Sequence, residues 1–318
     1  MSPQAGAARD LDGKRFLFIT GKGGVGKTTL AAALATAMAA RGKRVLICMC
    51  HTKERLSALL GTPPITDDIA HVGERVWAVN IDPERALKEY GALILHVQAL
   101  TNLVFDNRYL KTFFRATPGL YEWSMLGKAW FHTTEVLDGG GHRFDVVLFD
   151  APATGHGVDM LRVPKVILDV VPPGVLRRDA EAAWEMFRDP KRSGAVVVTL
   201  PEEMPATETI ELVAAIQELT LPIAKIVVNG VVLPIFSPAE RDELVRDATL
   251  LEPSAPARAA GTPKSALVAG ARRAVREQVQ AESLARLRRG ISLPMIELPF
   301  LFDDAGQPSG TRKLAAKL

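Results

Sequence analysis

An α/β fold, a doubly wound and mostly parallel sheet with one helical insertion, is predicted by three features of this sequence. Short apolar segments of Val, Ile, Leu and Phe recur without polar alternation, as expected of strands covered on both faces. Helical segments separate most of them, and that alternation is the mark of parallel crossovers. Hydrophobic residues make up 47% of the chain but aromatic ones only 6%, a balance suited to helices packed closely on a sheet. With 318 residues the chain can bury a substantial core. We expect one domain over 1–318, with an apolar insertion at about 83–138 and a short helical segment at about 164–192.

Arg15 to Thr20 reads as a buried strand running into a glycine loop, and Thr28 to Arg41 as an Ala/Leu helix ended by Gly42. Arg44 to Met49 and Arg75 to Ile81 are the next strands. From Pro83 to Leu137 the pattern turns helical and apolar, through Leu93, Leu100, Phe105, Phe113, Trp123, Trp130 and Phe131. Phe144 to Phe149, Ala195 to Leu200, Ile223 to Asn229 and Met295 to Leu298 complete the strands. Leu251 to Pro263, rich in Pro and Ala, reads as a loop between helices.

The net charge of +3 does not argue for nucleic acid. Positive charge concentrates between Lys264 and Arg289, which reads as a solvated helix face. Cys48 and Cys50, the only cysteines, lie two apart on a strand and point the same way, so they form no relaxed disulfide. A reduced, cytoplasmic setting is expected. Met1 to Lys14 lacks an apolar signal core, and Tyr90 to Phe105 is too short and polar for a bilayer span. No stable membrane anchor is expected.

The chemistry is concentrated in Gly21-Lys22-Gly23-Gly24-Val25-Gly26-Lys27-Thr28-Thr29. The order strand, Gly-x-x-x-x-Gly-Lys-Thr, helix is that of a phosphate-binding P-loop, which predicts ATP and Mg²⁺ as cofactors of a P-loop NTPase. Gly21, Gly23, Gly24 and Gly26 let the backbone approach phosphates, and the N–H groups of the loop, Val25 included, turn toward them. The helix start adds its positive dipole end. Lys27 is expected to neutralise the β- and γ-phosphates, Thr28 to ligate Mg²⁺, and Thr29 to reach the α-phosphate. A second lysine early in the loop, Lys22, resembles the deviant P-loop class, whose members dimerise face to face. That resemblance implies that Lys22 reaches a phosphate of the partner subunit.

Phe149-Asp150-Ala-Pro-Ala-Thr-Gly-His156, followed by Met160-Leu161-Arg162-Val163-Pro164, resembles a segment of the arsenite-pump ATPase (ArsA) and tail-anchored-protein targeting ATPase family. Pro118-Gly119-Leu120-Tyr121-Glu122, the Pro201 to Thr209 segment with Glu208, Val227-Val228-Asn229 and Leu298-Pro299-Phe300-Leu301-Phe302 are similar to further family segments, so the resemblance covers nearly the whole chain. It implies a nucleotide-gated dimer, with a second copy or a paralogue. Asp150, at a strand end, would hold Mg²⁺ and its waters. Thr154-Gly155-His156 would sense the γ-phosphate. Asn229 would read adenine, with Pro299 and Leu301 beside the base. Helices within 86–135 would offer an apolar groove for protein cargo.

Three departures limit the resemblance. The arsenite-site cysteines and the Cys-x-x-Cys zinc pair are absent, which argues against an arsenite-pump subunit. His51 stands in register with the family's water-orienting Asp. A neutral imidazole can accept a proton but lacks the carboxylate's charge, so slow hydrolysis is expected. The segment from Val166 to Arg192 is shorter than its counterpart in the targeting ATPase. Two rival functions remain: a non-catalytic ATP-binding partner of a catalytic paralogue, and a ParA/MinD-like positioning ATPase. The latter would want a DNA-binding or membrane-binding C-terminus, for which Lys313 to Leu318 is too short.

Overall fold

The computed structural model describes residues 6–50, 54–95, 119–152, 157–246 and 263–318. Eight strands form one sheet: β1 (Phe16–Thr20), β2 (Val45–Cys50), β3 (Ala70–Gly73), β4 (Val76–Ile81), β5 (Val146–Asp150), β6 (Ser193–Thr199), β7 (Ile223–Val231) and β8 (Met295–Pro299), in the order β3-β4-β2-β5-β1-β6-β7-β8. The pairings are parallel except that of β3 with β4. This is the predicted α/β architecture. The parallel strands carry apolar side chains on both faces because helices cover both.

Ten α-helices are described: α1 (Lys27–Ala40), α2 (Leu56–Leu60), α3 (Pro83–Leu95), α4 (Leu120–Thr134), α5 (Gly157–Val170), α6 (Val175–Arg188), α7 (Glu203–Glu218), α8 (Pro238–Arg246), α9 (Pro263–Gly290) and α10 (Pro308–Ala315). Alternate strand residues divide between two cores. Phe16, Phe18, Cys48, Phe149 and Val197 meet Trp123 and Leu126 of α4, Met160 of α5 and Met186 of α6. Leu17, Ile19, Ile47, Met49 and Leu148 meet Leu30, Leu34 and Met38 of α1 and Leu314 of α10. The alanines of α1 let its axis lie close to the sheet, and even Ala31 to Ala33 are fully buried.

The structure corrects the sequence expectations in two places. β3 was not anticipated. Its Ala-His-Val-Gly is four residues long and only Val72 is buried, so it carries too little apolar signal. Arg75, expected to open a strand, instead turns the β3–β4 connection with a left-handed φ of 56°. Second, Pro164 lies inside α5 rather than at a helix start.

Of the apolar insertion, α3 and α4 are described. Trp123 is fully buried, Trp130 packs on the core and Phe131 is exposed. The expected features at residues 96–118, the 251–262 loop, His51 and Thr154 to His156 lie outside the described residues. Cys48 and Cys50 are buried and unbridged, and burial raises both thiol pKa values, so they behave as small hydrophobes. Among the described residues no helix is long and apolar enough to cross a membrane.

Candidate functional site

The sheet registers bring the ends of neighbouring strands level. Asp150, at the end of β5, pairs with Ile19 of β1 on one side and Met49 of β2 on the other. The glycine loop leaves β1 at this level and enters α1 through Gly26, which caps the helix with a left-handed φ of 96°. A Cβ at Gly26 would fall 2.3 Å from Asn229 Nδ2, and one at Gly21 would fall 2.2 Å from the Val198 carbonyl oxygen. Only glycine permits these approaches. The Asn229 amide donates to the Val25 carbonyl at 3.0 Å and so ties the loop to β7.

Lys27, first residue of α1, is buried. Its ammonium donates to the carbonyls of Gly21 (2.9 Å) and Lys22 (3.0 Å), which holds it inside the loop. Burial lowers its pKa, while the charge of Asp150 acts in the opposite direction. Thr28 Oγ1 donates to Asp150 Oδ2 at 2.6 Å. Asp150 Oδ1 is buried and has no hydrogen-bond partner. Desolvation pushes the Asp150 pKa up to about 6, against the Thr28 hydrogen bond and the Lys27 charge. An unsatisfied buried carboxylate oxygen beside a threonine hydroxyl is an oxygen donor set suited to a hard divalent cation.

A cavity of about 660 Å³ extends from Gly24, Gly26 and Thr29, past Asn229 and Gly230, to Pro299, Phe300 and Leu301 beyond β8. Its size is typical of a small-molecule site. Of the residues expected at the site, Gly24, Gly26, Thr29, Asn229, Pro299 and Leu301 line this cavity, Gly21, Val25, Lys27, Thr28 and Asp150 are not on its wall, and Lys22 and Gly23 are exposed. Lys22 pairs with Glu208 of α7 at 3.2 Å and keeps 44% of its side chain exposed. Among the described residues, no group of three or more His, Cys, Asp or Glu is placed to hold a metal.

Sequence reasoning missed the partners brought in by α7 and α9. Much of the basic run, expected to be solvated, is locally engaged. Arg273 pairs with Glu277 at 2.8 Å, Arg288 with Glu297 at 2.6 Å, and Arg286 donates to Thr207 at 2.9 Å. Arg276 instead lies over the Phe300 ring, on the cavity wall. The i, i+4 spacing of Arg273 and Glu277 was a readable signal, whereas nothing local marks the other contacts.

Comparison with known proteins matches residues 14–172 and 176–243 to the anion-transporting ATPase family (ArsA ATPases). The ATPase BagA of Mycobacterium tuberculosis is 30% identical over 230 residues, which cover 69% of this chain and 66% of that protein. An arsenical pump-driving ATPase of Escherichia coli is 29% identical over 68% of this chain and 39% of its own length. The ATPase GET3 of Kluyveromyces lactis is 26% identical over 72% and 74%. The match thus spans just under two thirds of the mycobacterial relative and well under half of the pump ATPase. The chain belongs to the anion-transporting ATPase family.

Proposed function

We propose that this chain is a Mg²⁺-dependent ATPase that works in the cytoplasm as a nucleotide-gated dimer, acting as one P-loop unit on an apolar protein cargo. The observation that carries the reading is the convergence of Lys27, Thr28 and Asp150 beside the loop end of the 660 Å³ cavity. In this reading the loop N–H groups and Lys27 bind the triphosphate, and Thr28 and Asp150 hold Mg²⁺. Thr29 serves the α-phosphate, and the base lies toward Asn229, Pro299 and Leu301. The cation supplies charge neutralisation at the transferring phosphoryl group. Calorimetric titration with Mg-ATP tests the assignment, and a chain that binds no nucleotide refutes it.

Dimerisation rests on Lys22. Its pair with Glu208 is half exposed, and such pairs contribute only about 0–1 kcal/mol, so the lysine is readily released toward a partner's phosphate. Lys22→Ala is expected to leave ATP affinity within about twofold while weakening ATP-dependent dimerisation or turnover. If sedimentation and hydrolysis are both unchanged, Lys22 is a surface residue only. The partner is a second copy or a paralogue.

For cargo, the groove expected within 86–135 is replaced by one of about 500 Å³ between α4, α5 and α6, lined by Leu120, Val163, Ile167 and Leu176 together with Glu122, Asp159 and Arg162, with Val166 and Val170 exposed at its edge. Its apolar lining supports capture of an apolar helix or strand from another protein.

Slow hydrolysis is the expectation at position 51, where the sequence register replaces a carboxylate with His51. His51→Asp is expected to raise turnover about tenfold, or about 1.4 kcal/mol of transition-state stabilisation, with little change in affinity. Brisk wild-type hydrolysis that the substitution slows would make His51 itself the base. Absence of turnover in both would identify an ATP-binding partner awaiting a catalytic subunit.

A further inference from the structure

The base end of the cavity carries a contact with no role in the function so far described. If the phosphates lie at Gly24, Gly26 and Thr29, the rest of a nucleotide must extend toward β8 and α9. Among the described residues, the single cation on the wall there is Arg276. Its guanidinium carbon stands 4.3 Å from the Phe300 ring centroid, and Phe300 is steadied edge-on by Phe302 at 4.8 Å. No hydrogen-bond acceptor engages Arg276 among the described residues. Residue 276 also lies beyond the segments matched to the family.

The helix that presents Arg276 is locked in place. Gln280, one turn on, pairs with both the N–H and the carbonyl of Val232 at 2.8 Å. Glu277, fully buried, accepts from the Ile235 N–H at 3.0 Å. The Phe300 N–H in turn bonds the Val231 carbonyl at 2.9 Å, so ring and guanidinium are fixed from the same stretch of backbone. A guanidinium is planar and weakly hydrated, and it stacks on π-faces from either side. One face is taken by Phe300. Arg276 also lines the cavity, whose wall includes the apolar Leu200, Val279, Pro299 and Leu301 together with Glu202, Gln280 and Asp304.

We propose that Arg276 stacks on the base of the bound nucleotide, with Phe300 holding it from behind, and thereby favours purine over pyrimidine nucleotides. The inference rests on the nucleotide reading above. Stacking area distinguishes a two-ring from a one-ring base but does not separate adenine from guanine, which differ at their edges.

The test is calorimetry with Mg²⁺ and three probes: ATP, CTP and inorganic tripolyphosphate. Arg276 is exposed, so its replacement leaves the core intact. Arg276→Ala is expected to weaken ATP about tenfold, equivalent to about 1.4 kcal/mol. Tripolyphosphate affinity should stay within about twofold, and the preference for ATP over CTP should shrink. Arg276→Lys, which keeps the charge but loses the plane, should be as weak as Ala. Unchanged ATP affinity in Arg276→Ala overturns the proposal. Equal weakening of tripolyphosphate, or full rescue by lysine, also overturns it, because Arg276 would then act as a charge. If the wild type binds neither ATP nor tripolyphosphate, the nucleotide reading itself fails, and this inference with it.

Discussion

Replacing Lys27 with alanine is expected to weaken ATP binding by about tenfold to a hundredfold, in effect abolishing it in calorimetry at micromolar concentrations. The ammonium is buried within the loop by the carbonyls of Gly21 and Lys22, and its burial is already opposed by desolvation. A cation in such a place interacts strongly with a polyanion because little water screens it. Losing one charge-assisted contact in a dry site costs about 1.5–3 kcal/mol. Unchanged affinity would defeat the assignment of the loop.

Asp150→Asn is expected to move binding and stability in opposite directions. Without the carboxylate, Mg²⁺-dependent ATP binding should be lost, since Thr28 alone is a poor cation site. The free chain, by contrast, should gain stability at neutral pH. Burial raises the Asp150 pKa from 3.8 to about 6, so the folded state favours the protonated acid. Stability from this group is therefore fully present below about pH 4 and is lost as pH rises through about 6. A shift of that size corresponds to on the order of 3 kcal/mol. Urea denaturation at pH 4.5 and 7.5 should show this loss in the wild type and not in the variant, while Thr28 can still donate to the new amide oxygen. A pH dependence identical in both proteins would show that Asp150 ionises freely in the fold.

The phosphate loop was legible in the sequence because its requirements are local. Glycines at Gly21 and Gly26 answer to clashes with the Val198 carbonyl and Asn229, but a strand, a glycine run and a helix in succession already announce them. Asp150 was legible for a similar reason, as the polar residue ending Val146 to Phe149. Asn229, expected to read adenine, lines the cavity, and its amide donates to the loop carbonyl of Val25. The helical segment expected from about 164 begins earlier, because α5 continues through Pro164 with Met160, Leu161, Val163 and Ile167 buried. The pairings of Lys22 with Glu208 and of Arg276 with Phe300 were illegible for a different reason. Each joins distant elements, and neither side chain differs in type from an ordinary surface charge.

The position of β1 in the sheet has a consequence for biosynthesis. Its neighbours are β5 and β6, so Phe16 pairs with Val147 and Ser193. At about 5–20 residues per second, a ribosome needs roughly 10 to 35 seconds to make the chain separating Phe16 from Ser193. For roughly the first 7 to 26 seconds of that interval, until Val147 is made, the nascent strand Phe16 to Thr20, apolar on both faces, has no partner, and the phosphate loop has no frame to hold it. ATP therefore cannot assist early steps of folding. A chaperone that shields the first strand should raise the yield of native protein more than added nucleotide does.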